Sequence, residues 1–152
     1  MKIRIHHFFD IIRDFGIAKE FTAHPYMHAY HIVAEIIRDN PNIELELIKE
    51  SDMVCNGCIH LINNSCDDII THRTGFTGKE EFNNHLDNRI IDVCQVEPSK
   101  KYSPKKLCEI AHKYLESIDF IYEGNDLGHT LARKENVLKG LIYYSERHHF
   151  IS

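Results

Sequence analysis

The chain has 152 residues, 43% of them hydrophobic and 27% charged, with a formal net charge of -5 at pH 7. That length suits a single domain over 1–152 with its own core; no apolar run approaches the roughly 20 residues of a membrane helix, and interspersed acids and bases give no basic footprint for nucleic acid. The opening residues are polar where a secretory leader would be apolar, so a cytoplasmic location with reduced thiols is expected.

Lys2 to His6 alternates, with Ile3 and Ile5 on one face, and predicts a short strand. Phe8, Ile11, Ile12 and Phe15 then recur at helical spacing as far as Gly16. Pro25 to Arg38 places Tyr26, Tyr30, Val33 and Ile37 on one stripe and predicts a second helix, stopped by Asn40-Pro41. His28, His31 and Glu35 fall on its other face and read as solvated polar residues. Ile43 to Leu47 alternates strictly, as a half-buried strand does.

Thr77-Gly78-Lys79-Glu80 reads as a capping box for a third helix that buries Phe82, Leu86, Ile90 and Val93. Ser103-Pro104 opens a fourth, with Leu107, Ile110, Ala111, Tyr114 and Ile118 as its stripe. Asp126 caps a fifth, whose apolar face is Leu127, Leu131, Leu138, Leu141 and Ile142. Residues 95–102 read as a hinge between a body, 1–94, and a helical pair, 103–146. His148-His149 reads as frayed surface.

A crossover long enough to hold helices predicts that the two strands are parallel. The expected fold class is therefore α+β, mixed and helix-rich: a small parallel sheet with about five helices. Parallel pairing puts both carboxyl ends at one edge, where His6, His7 and Asp10 leave the first strand and Cys55 and Cys58 follow the second.

Cys55, Cys58 and Cys66 form Cys-x2-Cys-x7-Cys in a polar loop, and Asn56-Gly57 supplies a turn that can aim two sulfurs at one centre. Zinc wants four closed ligands, and no second knuckle stands in register. Iron-sulfur clusters accept irregular spacing and a remote last ligand. A four-iron (4Fe-4S) cluster is therefore expected, with zinc as the alternative. Cys94 is either the fourth thiolate or a buried helix-end residue, and Cys108 reads as packed. His6, His7 and Asp10 can ligate a metal or move protons; alternatively the histidines hydrogen-bond backbone.

Ile3-Arg4-Ile5-His6-His7-Phe8-Phe9, Asp52-x2-Cys55-x2-Cys58, Cys66 and Leu86-Asp87-x2-Ile90 together resemble a family of domains of unknown function described as predicted iron-sulfur proteins. The resemblance runs over residues 3–94. The family's usual opening is His-His-Leu-Leu-Cys, and Asp10 stands where that cysteine would be. The resemblance implies a cluster but no reaction. Asp10 could bind through oxygen, Cys94 could substitute, or one iron could stay open to sulfide or a small molecule, with His6 or His7 as proton donor. A cluster with all sites filled would instead serve a redox partner. The competing expectation is a zinc-stabilised, non-catalytic binding module.

Overall fold

Short alternating and helical patterns resolve, in a computed structural model that describes residues 1–150, into β1 (Lys2–Ile3), α1 (Ile5–Gly16), α2 (Tyr30–Asp39), β2 (Leu45–Leu47), β3 (Leu61–Ile62), β4 (Ser65–Cys66), α3 (Lys79–Cys94), β5 (Lys101–Tyr102), α4 (Pro104–Glu116), α5 (Ile118–Ile121) and α6 (Leu127–Arg147). The class is the helix-rich α+β one expected. No helix among the described residues is long and apolar enough to cross a membrane.

β1 and β2 run parallel, with Ile3 opposite Leu47. The sheet is nevertheless mixed, because β5 pairs antiparallel with β2 and gives the order β1-β2-β5. Residues 95–102 are thus not the simple hinge expected: Tyr102 lies opposite Leu45, and the Ser99 N–H donates to the Leu47 carbonyl. β3 and β4 form a separate antiparallel hairpin closed by Asn63 and Asn64. Both turn residues have positive φ, the geometry of a tight two-residue hairpin.

The first strand is shorter than its alternation suggested, and His6 and His7 sit in the first turn of α1. Arg4, whose place in the alternation is opposite Ile3 and Ile5, is only 1% exposed. No side chain of the chain's own N-cap serves α1. Instead Asp52 accepts the Arg4 N–H at 2.7 Å and Asp87 accepts the His6 N–H at 3.1 Å. Carboxylates from distant segments therefore satisfy the free donors and the positive end of the helix dipole.

α2 starts at Tyr30, five residues after Pro25, because Met27 takes a positive φ and its N–H closes a turn on His24. Tyr26 and His28 consequently lie outside the helix. α3 forms where expected, but its capping box does not. Gly78 is the cap residue and offers no side chain, while Glu80 is drawn away to Arg4 and to the Cys66 N–H. The local caps of α4 and α6 do form: Ser103 accepts from the Lys106 N–H and Asp126 from the His129 N–H, both at 3.0 Å. The fourth predicted helix ends early, and Ile118 belongs to α5. His148 is half-buried, with Nε2–H donating to the Arg38 carbonyl at 2.7 Å, so it is not frayed surface.

One core takes side chains from β1, β2 and all six helices. Within it Phe9 and Tyr114 stack at 3.9 Å. The face that α6 buries is not the leucine face: Thr130, Val137, Gly140 and Tyr144 are buried, while Leu127, Leu131, Leu138 and Ile142 are exposed. The reason is a backbone-to-backbone crossing with α1. A Cβ on Gly140 would lie 1.8 Å from the Ile12 carbonyl oxygen, and one on Gly16 would lie 1.9 Å from that of Asn136. A leucine face would hold the two helices too far apart for either contact.

Gly140→Ala should therefore lower stability by about 2 kcal/mol in urea unfolding, through overpacking that outweighs alanine's better helix propensity. A variant as stable as the parent would remove the argument for a close crossing.

Candidate functional site

Placing His6 and His7 in the first turn of α1 lets Asp87 and Asp52 reach the same ring atom of each. Nδ1 of His6 lies 2.7 Å from Asp87 Oδ1, and Nδ1 of His7 lies 2.8 Å from Asp52 Oδ2. Both carboxylates are fully buried as side chains. An ionised carboxylate only accepts, so each Nδ1 carries a proton and Nε2 is the free atom of the neutral ring. No hydrogen bond among the described residues uses either Nε2. The rings tilt against each other with centroids 4.2 Å apart.

Both rings line a cavity of about 340 Å³ whose wall also includes Asp10, Tyr30, Lys79 and Arg133. His28 and His72 add to its polar lining, with Phe82 and Leu86 as an apolar floor. A second cavity of about 290 Å³ shares His72, Tyr122, Asn125 and Arg133 with the first and adds Arg13 and His129.

The charges in this region are paired on the protein side. Burial disfavours the charged His7 ring, but the Asp52 carboxylate outweighs it and raises the His7 pKa above its ordinary 6.5. Burial would likewise raise Asp52; the opposing His7 charge, helped by the Arg4 N–H, brings it down to about 2. Asp10 is half-buried, which would raise its pKa, yet Arg133 at 2.6 Å and Arg13 at 3.4 Å hold it well below the usual carboxylate range. Burial, together with Asp10 and Asp14, drives the Tyr30 phenol far above its usual value, and its hydroxyl donates to Asp14.

Asp52 also joins this cavity to the cysteines. Its Oδ1 accepts the Val54 N–H and caps the short 3-10 turn Met53–Cys55. The Cys58 N–H donates to the Cys55 carbonyl at 3.0 Å, with Gly57 at φ 80° supplying the turn between them. Cys66 lies on β4 opposite Leu61, whose N–H donates to the Cys58 carbonyl at 3.2 Å. Burial and then Asp52 push the Cys55 thiol up to about 12, and burial raises Cys66.

The remaining expected ligands lie elsewhere. The Cys66 N–H bonds Glu80 in the first turn of α3, whereas Cys94 ends that helix, about 21 Å along its axis at about 1.5 Å per residue. Cys94 is buried in the core, with its thiol raised to about 12 by burial. Cys108 is half-buried against the core, as expected. Asp10 is held by two arginines. Among the described residues no three His, Cys, Asp or Glu side chains are gathered so as to hold a metal ion. The loop's donor chemistry suits a soft metal, but its residues as placed here do not form the expected four-ligand site.

Asp52 and Asp87 were visible in the sequence only as parts of motifs. A stronger signal was available for Asp87, a lone acid between Leu86 and Ile90 on a face that must be buried. Lys79, Asn125 and Arg133 carried no local signal.

A family profile for proteins of unknown function, DUF1284, matches residues 19–123. The chain belongs to this family. The DUF1284 match takes in the cysteine segment, α3 with Lys79, and α5; it begins after His6, His7 and Asp10 and stops short of Asn125 and Arg133. No curated protein and no solved structure matches the chain.

The His7–Asp52 pair has a defined pH signature. With its folded pKa raised, His7 contributes stability fully below about 6.5 and loses it as pH rises through the higher folded value. Asp52, lowered from 3.8 to about 2, contributes above its unfolded value and loses that as pH falls through the folded one. An NMR titration should place the His7 pKa above 6.5, and Asp52→Asn should lower it. An unchanged His7 midpoint in that variant would show that the carboxylate does not control the ring.

Proposed function

We propose that the protein binds a small polar molecule in the His6–His7 cavity and exchanges a proton with it through imidazole Nε2. The observation that carries this reading is the pair of imidazoles, each anchored at Nδ1 by a buried carboxylate, on one cavity wall. A carboxylate at Nδ1 fixes tautomer and ring orientation and favours the imidazolium formed when Nε2 takes a proton, the arrangement that acid–base catalysis requires. His7, whose charged form Asp52 favours, is assigned as proton donor. Lys79 and Arg133 orient the bound molecule, and Phe82 and Leu86 keep its apolar side from water.

A screen of small metabolites against protein with 15N-labelled imidazoles should yield ligands that move both Nε2 resonances. Turnover of any ligand that is converted should fall by about 100-fold or more in His7→Gln. Ligands that bind tightly while leaving both Nε2 signals in place would sink the proposal.

A second reading concerns the cysteine loop, where three partly exposed thiols fall within one twelve-residue segment. It is a soft-metal site, an iron-sulfur cluster or zinc, assembled on binding when the loop draws Cys55, Cys58 and Cys66 together, with remaining positions filled from outside the chain. When bound, an iron centre would supply Lewis acidity or electron transfer. Anaerobic reconstitution with iron and sulfide should give a brown protein whose metal content collapses in Cys58→Ser and Cys66→Ser and is unchanged in Cys94→Ala. A colourless protein with stoichiometric zinc would select zinc, and loss of loading in Cys94→Ala would contradict the ligand set.

A further inference from the structure

The two adjoining cavities differ in what they present. The inner one holds the histidine pair; the outer one is walled by Arg13, Arg133 and His129, and both share Asn125. Arg133 is fixed on its face and at one edge. Its guanidinium carbon lies 4.6 Å over the Tyr122 ring and Nη1 donates to Asp10 at 2.6 Å. Tyr122 is itself held by a 2.7 Å hydrogen bond between its hydroxyl and that of Tyr114. A guanidinium carries five N–H donors, more than Asp10 and the nearby Tyr114 hydroxyl can take.

Arg13 gives Nε to Asp14 and Nη1 to Asp10, and Nη2 bonds nothing among the described residues. At the cavity wall Arg13 and Arg133 share one carboxylate, Asp10, while Asp14 takes a second donor of Arg13 and faces Lys19 at 3.6 Å. At the shared wall the Asn125 side-chain oxygen is buried without a hydrogen-bond partner. A buried polar atom of that kind calls for a partner that the protein does not supply.

From this arrangement we infer that the outer cavity binds an oxyanion, the carboxylate or phosphate end of a small metabolite whose other end reaches His6 and His7. The anion end receives the spare edge of Arg133 and Arg13 Nη2, the fork geometry that guanidinium groups offer to planar or tetrahedral oxyanions. Asn125 stands at the junction and meets a polar atom midway along the ligand. The identity of the ligand's reactive end rests on the proton-exchange reading above; the oxyanion end does not.

The test is an NMR titration of the full chain with inorganic phosphate and, separately, with succinate, each against chloride at matched ionic strength. Saturable shifts are expected at Asn125, Asn136 and the Arg133 side chain, with affinity reduced by about tenfold in Arg133→Lys, which keeps the charge and loses the fork. Asn125→Leu, which removes a side chain bonded to nothing, is expected to leave anion binding intact and to weaken only longer ligands. Saturation by phosphate alone assigns a phosphate ester, by succinate alone a carboxylate, and by both a general oxyanion site; each supports the inference. No saturable shift with either anion, or equal affinity in Arg133→Lys, overturns it. Anion binding with silent His6 and His7 resonances for every longer ligand would instead overturn proton exchange while leaving the anion site standing.

Discussion

A buried guanidinium holds the junction on which the rest of the molecule is arranged. Arg4 donates from Nε to the Glu50 carbonyl, from Nη1 to Asp87, and from Nη2 to the Lys49 carbonyl, Glu80 and Asn84. An isolated charge so deeply placed would cost several kcal/mol, and only a full set of acceptors offsets it. Those acceptors come from two segments, the chain after β2 and the stretch of α3 from Glu80 to Asp87. Folding Arg4 inward therefore requires both to be in place, and once there they deliver Asp52 and Asp87 to the start of α1. The same two carboxylates then serve the helix end and the histidine rings together.

This economy of parts explains why the histidines are poised although neither sits in a loop. Each ring stands on the rigid first turn of a helix, its proton position set by a carboxylate from another element and its outward nitrogen left to the cavity. Asp10, one turn further along α1, faces the cationic pair Arg13 and Arg133. Asp10 thus has a definite partner in this chain, an arginine contributed by α6.

Features set by near neighbours could be read directly from the residues. Ser103 and Asp126 cap the helices they precede, Gly16 ends α1, and the parallel pairing of β1 with β2 follows from the crossover between them. The approach of His7 to the segment that leads into the cysteines was also legible, because sheet topology brings those ends together, with Asp52 as the link. What could not be read depended on competition at a distance. Glu80 looked like half of a capping box until Arg4 claimed it, and nothing local marked Arg4 as the residue that would turn inward. Cys94 looked available as a ligand, yet the length of an uninterrupted α3 carries it to the opposite end of the body. The leucine spacing of α6 pointed to one face, whereas carbonyl-to-glycine contact selected another, and with that face Arg133 entered the site unseen.

The glycine crossing has a consequence for how the chain can change over time. Gly16 and Gly140 act as a notch that fixes α6 against α1 in one rotational setting, and Arg133 lies two turns before that notch, about 10 Å away. Inserting a single residue between positions 133 and 140 would swing the guanidinium about 100° around the helix axis and away from Asp10. The segment between the notch and Arg133 is therefore a spacer of set length, tolerant of substitution on its outer surface but closed to insertion or deletion.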